Sequence, residues 1–435
     1  MIASSVENTL SEFIESARLS DLPEPARERL WLLLADMAAV CAAGRPAPAS
    51  ALAAGYAHAA HPGQEATLLY DGSRAGAVGA AFANGVLANV LDFDDGHRLT
   101  KGHPGAVVIP AALAVGQRVD ATATELLEAI VVGYEIAIRA GIALHARDDS
   151  YHASGSWGSV GAAAVASRLL GLDRPATVTA LGLAEYHAPI GHIMRSCADP
   201  QMTKDACAQG ASVGVASALL AAGGFTAVRG EFLDADLDDL GSRWRLRELY
   251  IKPYPCCRWS QGAIHAALLA AGRELSPGEV ADVRVRTFAA ADGLAKEPPT
   301  TTEEAQYSLV WPVAEALSRG RFGVAEVLGP FDDPDVAAMA QRIRIVVDPE
   351  LTAAFPARRL TAIEIELTSG ERLNAGPLEA PGEPDDPGLP ALVHAKAAAI
   401  ADHAGRWDRD GTVAGLGADE LLGLLLGVGS AGGHA

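Results

Sequence analysis

Residues 92–104 read Asp-Phe-Asp-Asp-Gly-His-Arg-Leu-Thr-Lys-Gly-His-Pro, which sets three aspartates and two histidines into one connection between Ala-rich segments. Carboxylates beside imidazoles serve as orienters, proton acceptors or metal ligands. As metal ligands the segment offers Asp94, Asp95, His97 and His103. Its two histidines lie six apart, however, neither sits in a His-x-x-x-His pair, and no Glu-x-x-His partner is near. The spacing argues for a site without metal. A purely structural alternative has Asp92 or Asp95 capping a flanking helix while His97 faces solvent.

Three further stretches carry candidates. Tyr151-His152-Ala153-Ser154-Gly155-Ser156 precedes an Ala-rich helix, whose free N–H groups and positive dipole end suit a carboxylate. His152 is then either an acid or base beside that anion, or an ordinary surface histidine on a capped helix. Lys204 opens a helix of small residues (Ala206, Ala208, Gly210, Ala211). It reads as a substrate clamp or as a solvated lysine, although the helix dipole disfavours a cation there. In Lys252-Pro-Tyr-Pro-Cys-Cys-Arg258-Trp-Ser-Gln261, two prolines fix an extended chain that delivers Arg258 to the next helix. A guanidinium there matches a carboxylate bidentately. Tyr307 is either an aromatic over the site or a core residue, and His187 and His192 rank below the others.

The elements that must position these groups are mostly helices. Apolar residues recur at helical spacing over 7–17 and 26–43, and 79–91, 121–144, 157–170, 176–186 and 203–220 follow. Several are apolar nearly all round and rich in Ala and Gly, as suits closely packed buried helices. The texture changes after about residue 275. Stretches beginning at Val280, Ile343 and Leu360 alternate apolar and polar residues at strand period, with helical stretches near 303–319 and 334–341 between the first two. Ser369-Gly370-Glu371 reads as a hairpin turn, 381–388 as a linker, 390–404 as a returning helix and 427–435 as a frayed tail. The expected fold is mainly α. A large all-helical domain over 1–270, completed by 390–435, carries an inserted, smaller α+β lid domain over 271–389.

Composition excludes several function classes. Of the 435 residues 49% are hydrophobic and 20% charged, which is globular and not disordered. A formal net charge of -20 speaks against a nucleic-acid footprint, so an anionic substrate needs a local cluster of Lys and Arg. The five cysteines are odd in number and show no zinc spacing, and adjacent Cys256 and Cys257 are expected as reduced thiols. The first residues carry early acids and no apolar h-region, so no signal peptide is read, and no run reads as a membrane span. A cytoplasmic protein is expected.

The motifs in order resemble the MmgE/PrpD family, which includes 2-methylcitrate dehydratase, cis-aconitate decarboxylase and iminodisuccinate epimerase. The resemblance rests on Leu91-Asp-Phe-Asp-Asp-x-His97 with His103-Pro104 and Ile109-Pro110, and on His152-x-Ser-Gly155 before Gly161-Ala-Ala-Ala. Lys204 with Gly210, Gly224-Phe225-Thr226, Lys252-Pro-Tyr-Pro-Cys-Cys-Arg258 and Gln306-Tyr307-Ser308 follow, so the likeness runs from about residue 5 to 405. It implies a homodimer with a metal-free, cofactor-free site between domains, lined by Asp92, His103, His152, Lys204 and Tyr307. The implied reaction is lyase chemistry, dehydration or decarboxylation of a small di- or tricarboxylic acid by proton transfer next to a carboxylate. Epimerisation of a dicarboxylate such as iminodisuccinate, or ligand binding without turnover, are the alternatives. His103 and His152 are expected to move the proton, with Asp92 orienting an imidazole and Lys204 and Tyr307 completing the catalytic set. Arg258, Gln261, His97, Lys101 and Ser154 are expected to bind the anionic substrate. Two positions depart from the family pattern: Gly96 stands where Thr is usual, and Gln261 where His is usual.

Overall fold

The computed structural model describes residues 2–234, 237–404 and 423. The tail expected over 427–435 lies outside them. The fold is mainly α, with 56% of the chain helical and small sheets. The first part is built from α1 (Ile2–Ser16), α2 (Glu24–Gly44), α3 (Pro48–Ala60), α4 (Ala77–Asn89), α5 (Gly105–Arg118), α6 (Ala123–Arg147), α7 (Gly155–Leu169), α8 (Arg174–Tyr186), α9 (Ile193–Ala198) and α10 (Cys207–Ala222). Local chemistry starts several of them. Thr122 and Glu125 form a reciprocal capping box at α6, the Asp173 carboxylate caps α8, and Pro48 sits in the first turn of α3. Helix α3 goes beyond the sequence expectation; α5, the helix expected after the 92–104 segment, continues through Pro110, a residue that ordinarily ends a helix. Small residues bring the central helices together, since a Cβ at Gly161 would collide with Ala137 of α6 and one at Gly214 with Ala162 of α7. Among the described residues no single helix is long and apolar enough to cross a membrane.

Two short ribbons, β1 (Ala66–Thr67) with β2 (Arg74–Ala75) and β3 (Gly96–His97) with β4 (Leu249–Tyr250), tie loops of this part together. From α11 (Arg258–Ala271) onward the chain is α+β. Strand β5 (Val280–Thr287) is followed by α12 (Thr302–Gln306), α13 (Val310–Arg319), α14 (Val324–Leu328) and α15 (Pro334–Ala340), then by the parallel β6 (Ile343–Val347). After α16 (Pro349–Ala354), β7 (Thr361–Leu367) and β8 (Arg372–Leu378) close an antiparallel hairpin, giving the order β6-β5-β7-β8. The final helix α17 (Leu389–Ala404) returns to pack on α2. One apolar core fills the helical part, and a second joins α11, α13 and the sheet to Val40, Leu91 and Phe93. The segment holding Asp92 therefore lies where the two cores meet.

Candidate active site

Helix α4 ends at Asn89, and Asp92 then takes a left-handed backbone (φ 51°) that turns the chain. Pairing of β3 with β4 draws the segment from Tyr250 onward against this loop. Lys252, fully buried, donates from Nζ to Asp92 Oδ1 at 2.6 Å and to the Asp92 carbonyl at 2.9 Å. His103 sits on the same carboxylate, its Nε2 3.3 Å from Asp92 Oδ1, while Nδ1 lies 3.3 Å from Asp94 Oδ2 and 2.8 Å from the Asp95 carbonyl. The His103 backbone N–H donates to Ser154 Oγ at 2.9 Å. Asp95 accepts from Gly105 N–H at 3.1 Å at the start of α5, as the capping alternative expected, and from the Tyr134 hydroxyl at 2.6 Å, but His97, which that alternative placed in solvent, is buried. From behind, Lys396 of α17 donates to the Phe93 carbonyl at 2.6 Å and ion-pairs with Asp36 of α2 at 2.7 Å.

A second wall comes from the segment before α10. Lys204 (φ 47°) and Ala206 (φ 53°) are both left-handed, and Asp205 between them lines the cavity. Lys204 Nζ donates to Gln306 Oε1 and lies 4.9 Å from the Tyr307 ring centroid. The Tyr307 hydroxyl donates to Asp205 Oδ2 at 3.2 Å. Among the described residues, five non-glycine positions have positive φ, and Asp92, Lys101, Lys204 and Ala206 are four of them. Such backbone is costly, and it collects at active sites and ligand clamps. These walls enclose a cavity of about 360 Å³ that also reaches Tyr250, Cys257, Arg258 and Arg359, with Ile193, Met194, Trp259 and Phe355 as apolar lining.

Charge states follow from burial and neighbours. Burial opposes the charge on Asp92, but Lys252, Lys204 and His103 outweigh it and hold the carboxyl far below the usual range. Burial also opposes an imidazolium at His103, yet the Asp94 and Asp205 carboxylates raise its pKa from 6.5 to about 10. Asp205 itself is pushed up by burial, His103 pulling the other way, and the Tyr307 phenol is pushed far up by burial and by Asp205. The neighbouring carboxylates thus favour the charged imidazolium of His103 at neutral pH, while Asp205 is a buried carboxyl of raised pKa.

The structure brings Asp92, His103 and Tyr307 together on the cavity, joins Lys204 to them through Gln306 and the Tyr307 ring, and adds Arg258 and Lys101 to the lining. The remaining expected residues lie elsewhere. His152 is buried beside the cavity-lining Tyr151, its ring 5.7 Å from that of His145 and 5.3 Å from that of His192, with Nε2 3.5 Å from Asp148. Ser154 lies behind His103, and Gly155 N–H, expected to be free for an anion, donates to the Asp205 carbonyl at 3.0 Å. His97 contacts Glu248 at 3.3 Å, away from the cavity. Gln261 is buried and braces the turn, donating to the Tyr254 and Cys256 carbonyls while its Oε1 accepts from Arg258 at 2.8 Å. All five cysteines are free.

Sequence reasoning missed Lys252, Asp205, Tyr250 and Arg359 as site residues and weighed Asp94 only as a metal ligand or loop cap. Asp205 is adjacent to a residue already singled out, and Lys252 opens the quoted proline motif, so both had a signal; Arg359 had none. Asp92, Asp94 and His103 bring ligand atoms within 4.8 Å of one another, a spacing a metal could use. A cation there would have to face Lys252, already 2.6 Å from Asp92, and the charge of Lys204, so the donor set suits an ion-pair network better.

Residues 8–236 match the MmgE/PrpD N-terminal domain and residues 254–411 the MmgE/PrpD C-terminal domain. A cis-aconitate decarboxylase-like protein, oryM, of Aspergillus oryzae is 26% identical over 289 residues, covering 59% of this chain and 60% of the relative. The cis-aconitate decarboxylase of Mus musculus is 25% identical over 304 residues, covering 63% of this chain and 62% of the relative. That of Homo sapiens is 34% identical over 120 residues, covering 25% of this chain and 24% of the relative. The chain thus matches about three fifths of the length of the first two relatives.

Proposed function

The chain belongs to the MmgE/PrpD family, and on that premise we propose that it is a lyase that decarboxylates a small polycarboxylate of the cis-aconitate type. The observation that carries the reading is His103 held as an imidazolium on the cavity wall, both ring nitrogens against oxygen acceptors. Decarboxylation needs an acid and not a base. The C–C bond to the departing carboxylate breaks, its electron pair stays on a carbon conjugated with a neighbouring carboxylate, CO2 leaves, and His103 delivers a proton to that carbon. Lys204, Lys252 and the Tyr307 hydroxyl stabilise the charge that builds up on the neighbouring carboxylate, and the apolar lining desolvates the group that leaves. Asp92 orients His103. The segment 271–389 acts as a lid on a helical body formed by 1–270 and the returning helix, and brings Tyr307 to the site. His152 sits with His145 and His192 behind Tyr151, so proton transfer falls to His103 in this geometry.

Dehydration or epimerisation is the second reading, and Asp205 favours it. A buried carboxyl of raised pKa is a candidate base for removing a proton next to a carboxylate. NMR of cis-aconitate, citrate, 2-methylcitrate and iminodisuccinate with the enzyme in deuterium oxide separates the readings. Decarboxylation yields CO2 and one solvent deuteron in the product. Dehydration yields an alkene with loss of water, and epimerisation yields exchange at the stereocentre. His103→Ala lowers turnover at least ~100-fold. Unchanged turnover in that variant overturns the mechanism.

A further inference from the structure

Apart from the His103 cluster, the cavity holds a second polar set around Tyr250. The guanidinium carbons of Arg258 and Arg359 lie 4.9 and 5.3 Å from the Tyr250 ring centroid. The two cations are not equivalent. Arg258 is well engaged, both terminal nitrogens donating twice: to Gln261 Oε1 at 2.8 Å, Glu383 Oε1 at 2.7 Å and the Ala380 and Pro381 carbonyls. Arg98 nearby is also engaged, by the Ala357 carbonyl and by Glu383 Oε2 at 2.6 Å. Arg359 lines the cavity and is only 9% exposed, yet its Nε and Nη1 meet no hydrogen-bond acceptor among the described residues. The Glu383 carboxylate is 3.8 Å from Nη1, too far for a hydrogen bond, and it is already shared by Arg258 and Arg98. Buried charged donors without an acceptor are costly unless something supplies one.

The surroundings hold Arg359 in place. Phe355, four residues before it, stacks on Phe288 with centroids 4.6 Å apart and meets the Trp259 edge. The Tyr250 platform in turn depends on Gly96, because a Cβ there would collide with Cζ and Oη of the tyrosine. Gly96 and Tyr250 are then one feature, since the tyrosine fills the space a side chain at 96 would need.

We propose that Arg359, seated on Tyr250, is the anion subsite for the substrate carboxylate not engaged at His103, and that Gly96 exists to admit Tyr250. The proposal rests on the polycarboxylate reading and adds that the substrate carries at least two carboxylates, one for each set. Calorimetric titration with tricarballylate, a saturated tricarboxylate with neither double bond nor hydroxyl, tests it. Wild-type protein binds the probe, Arg359→Met weakens binding about 30-fold, and Arg359→Lys, which keeps the charge but not the fork, weakens it about tenfold. The His103 imidazole NMR signal, unchanged in both variants, reports that the other set is intact; if Arg359→Met disturbs it, Arg359→Lys alone decides. Binding within threefold of wild type in the deciding variant overturns the subsite. Failure of wild-type protein to bind tricarballylate at millimolar concentration removes the polycarboxylate reading itself, and the subsite with it.

Discussion

Asp94→Asn tests whether His103 is held as an imidazolium. Both of its ring nitrogens face oxygens: Nε2 is 3.3 Å from Asp92, and Nδ1 is 3.3 Å from Asp94 and 2.8 Å from the Asp95 carbonyl. A neutral imidazole carries one N–H, so its other nitrogen would set a lone pair against an acceptor. Burial works against the charge, but Asp94, followed by Asp205, more than compensates and raises the pKa from 6.5 to about 10. That is a preference for the charged ring on the order of 5 kcal/mol. Replacing Asp94 removes the largest favourable charge while burial and Lys252 remain, so the midpoint falls by about one to three pH units. Nitrogen-15 NMR of the imidazole, titrated beside a pH–rate profile, reads this directly. In wild-type protein activity declines only as pH approaches about 10, and in the variant the NMR midpoint and the alkaline limb move down together. Stability follows the same sign. The folded pKa lies above the unfolded one, so the contribution is complete below about pH 6.5 and is lost as pH rises through about 10. A wild-type His103 that titrates near 6.5, or one that Asp94→Asn leaves unmoved, refutes the reasoning.

Three further outcomes are expected. Lys252→Met leaves the buried Asp92 carboxylate with His103 as its direct ion-pair partner and the more distant charge of Lys204, and urea unfolding should show a loss of ~3–5 kcal/mol together with collapse of turnover. Gly96→Ala forces Tyr250 from its place, so the melting temperature falls in line with ~1–3 kcal/mol of overpacking and tricarballylate binds more weakly in calorimetry. Tyr307→Phe removes the hydroxyl that donates to Asp205 and sits at the cavity; steady-state kinetics should show kcat reduced about tenfold or more with melting unchanged.

The helical body and the strand-period stretches were legible because their periodicities are local. The Val280, Ile343 and Leu360 stretches are strands β5, β6 and β7, and the 369–371 turn joins β7 to β8. Helix α3 had no such reading, and the helix expected to follow the 92–104 segment runs on as α5 through Pro110, whose local preference for a break is overridden by burial of its neighbours. At the site, residue type found Asp92, His103, Lys204 and Tyr307, while pairing stayed invisible. Lys252 meets Asp92 across 160 positions and Arg359 meets Tyr250 across more than a hundred, so only the β3–β4 ribbon and the packing of two cores disclose them. Gln261 shows the converse error. Its place in a motif suggested substrate binding, whereas its three hydrogen bonds brace a turn and Arg258.

The two polar sets differ in charge balance, and this bears on how the proposed reaction divides binding from catalysis. Around His103, the imidazolium, Lys204 and Lys252 face Asp92, Asp94 and Asp205, three formal charges against three. A balanced set holds a ground-state carboxylate weakly, because each cation already has a partner. It responds when new negative charge develops on the substrate and its prealigned donors tighten on that charge. Around Tyr250, by contrast, Arg98, Arg258 and Arg359 share Glu383, with Glu379 3.7 Å from Arg98, so positive charge is in excess. Affinity then comes from the arginine set and rate from the histidine set. In that division Arg359 variants raise KM with little change in kcat, while Asp94 and Tyr307 variants lower kcat with little change in KM. If both groups of variants moved KM and kcat in the same proportion, the division would not stand.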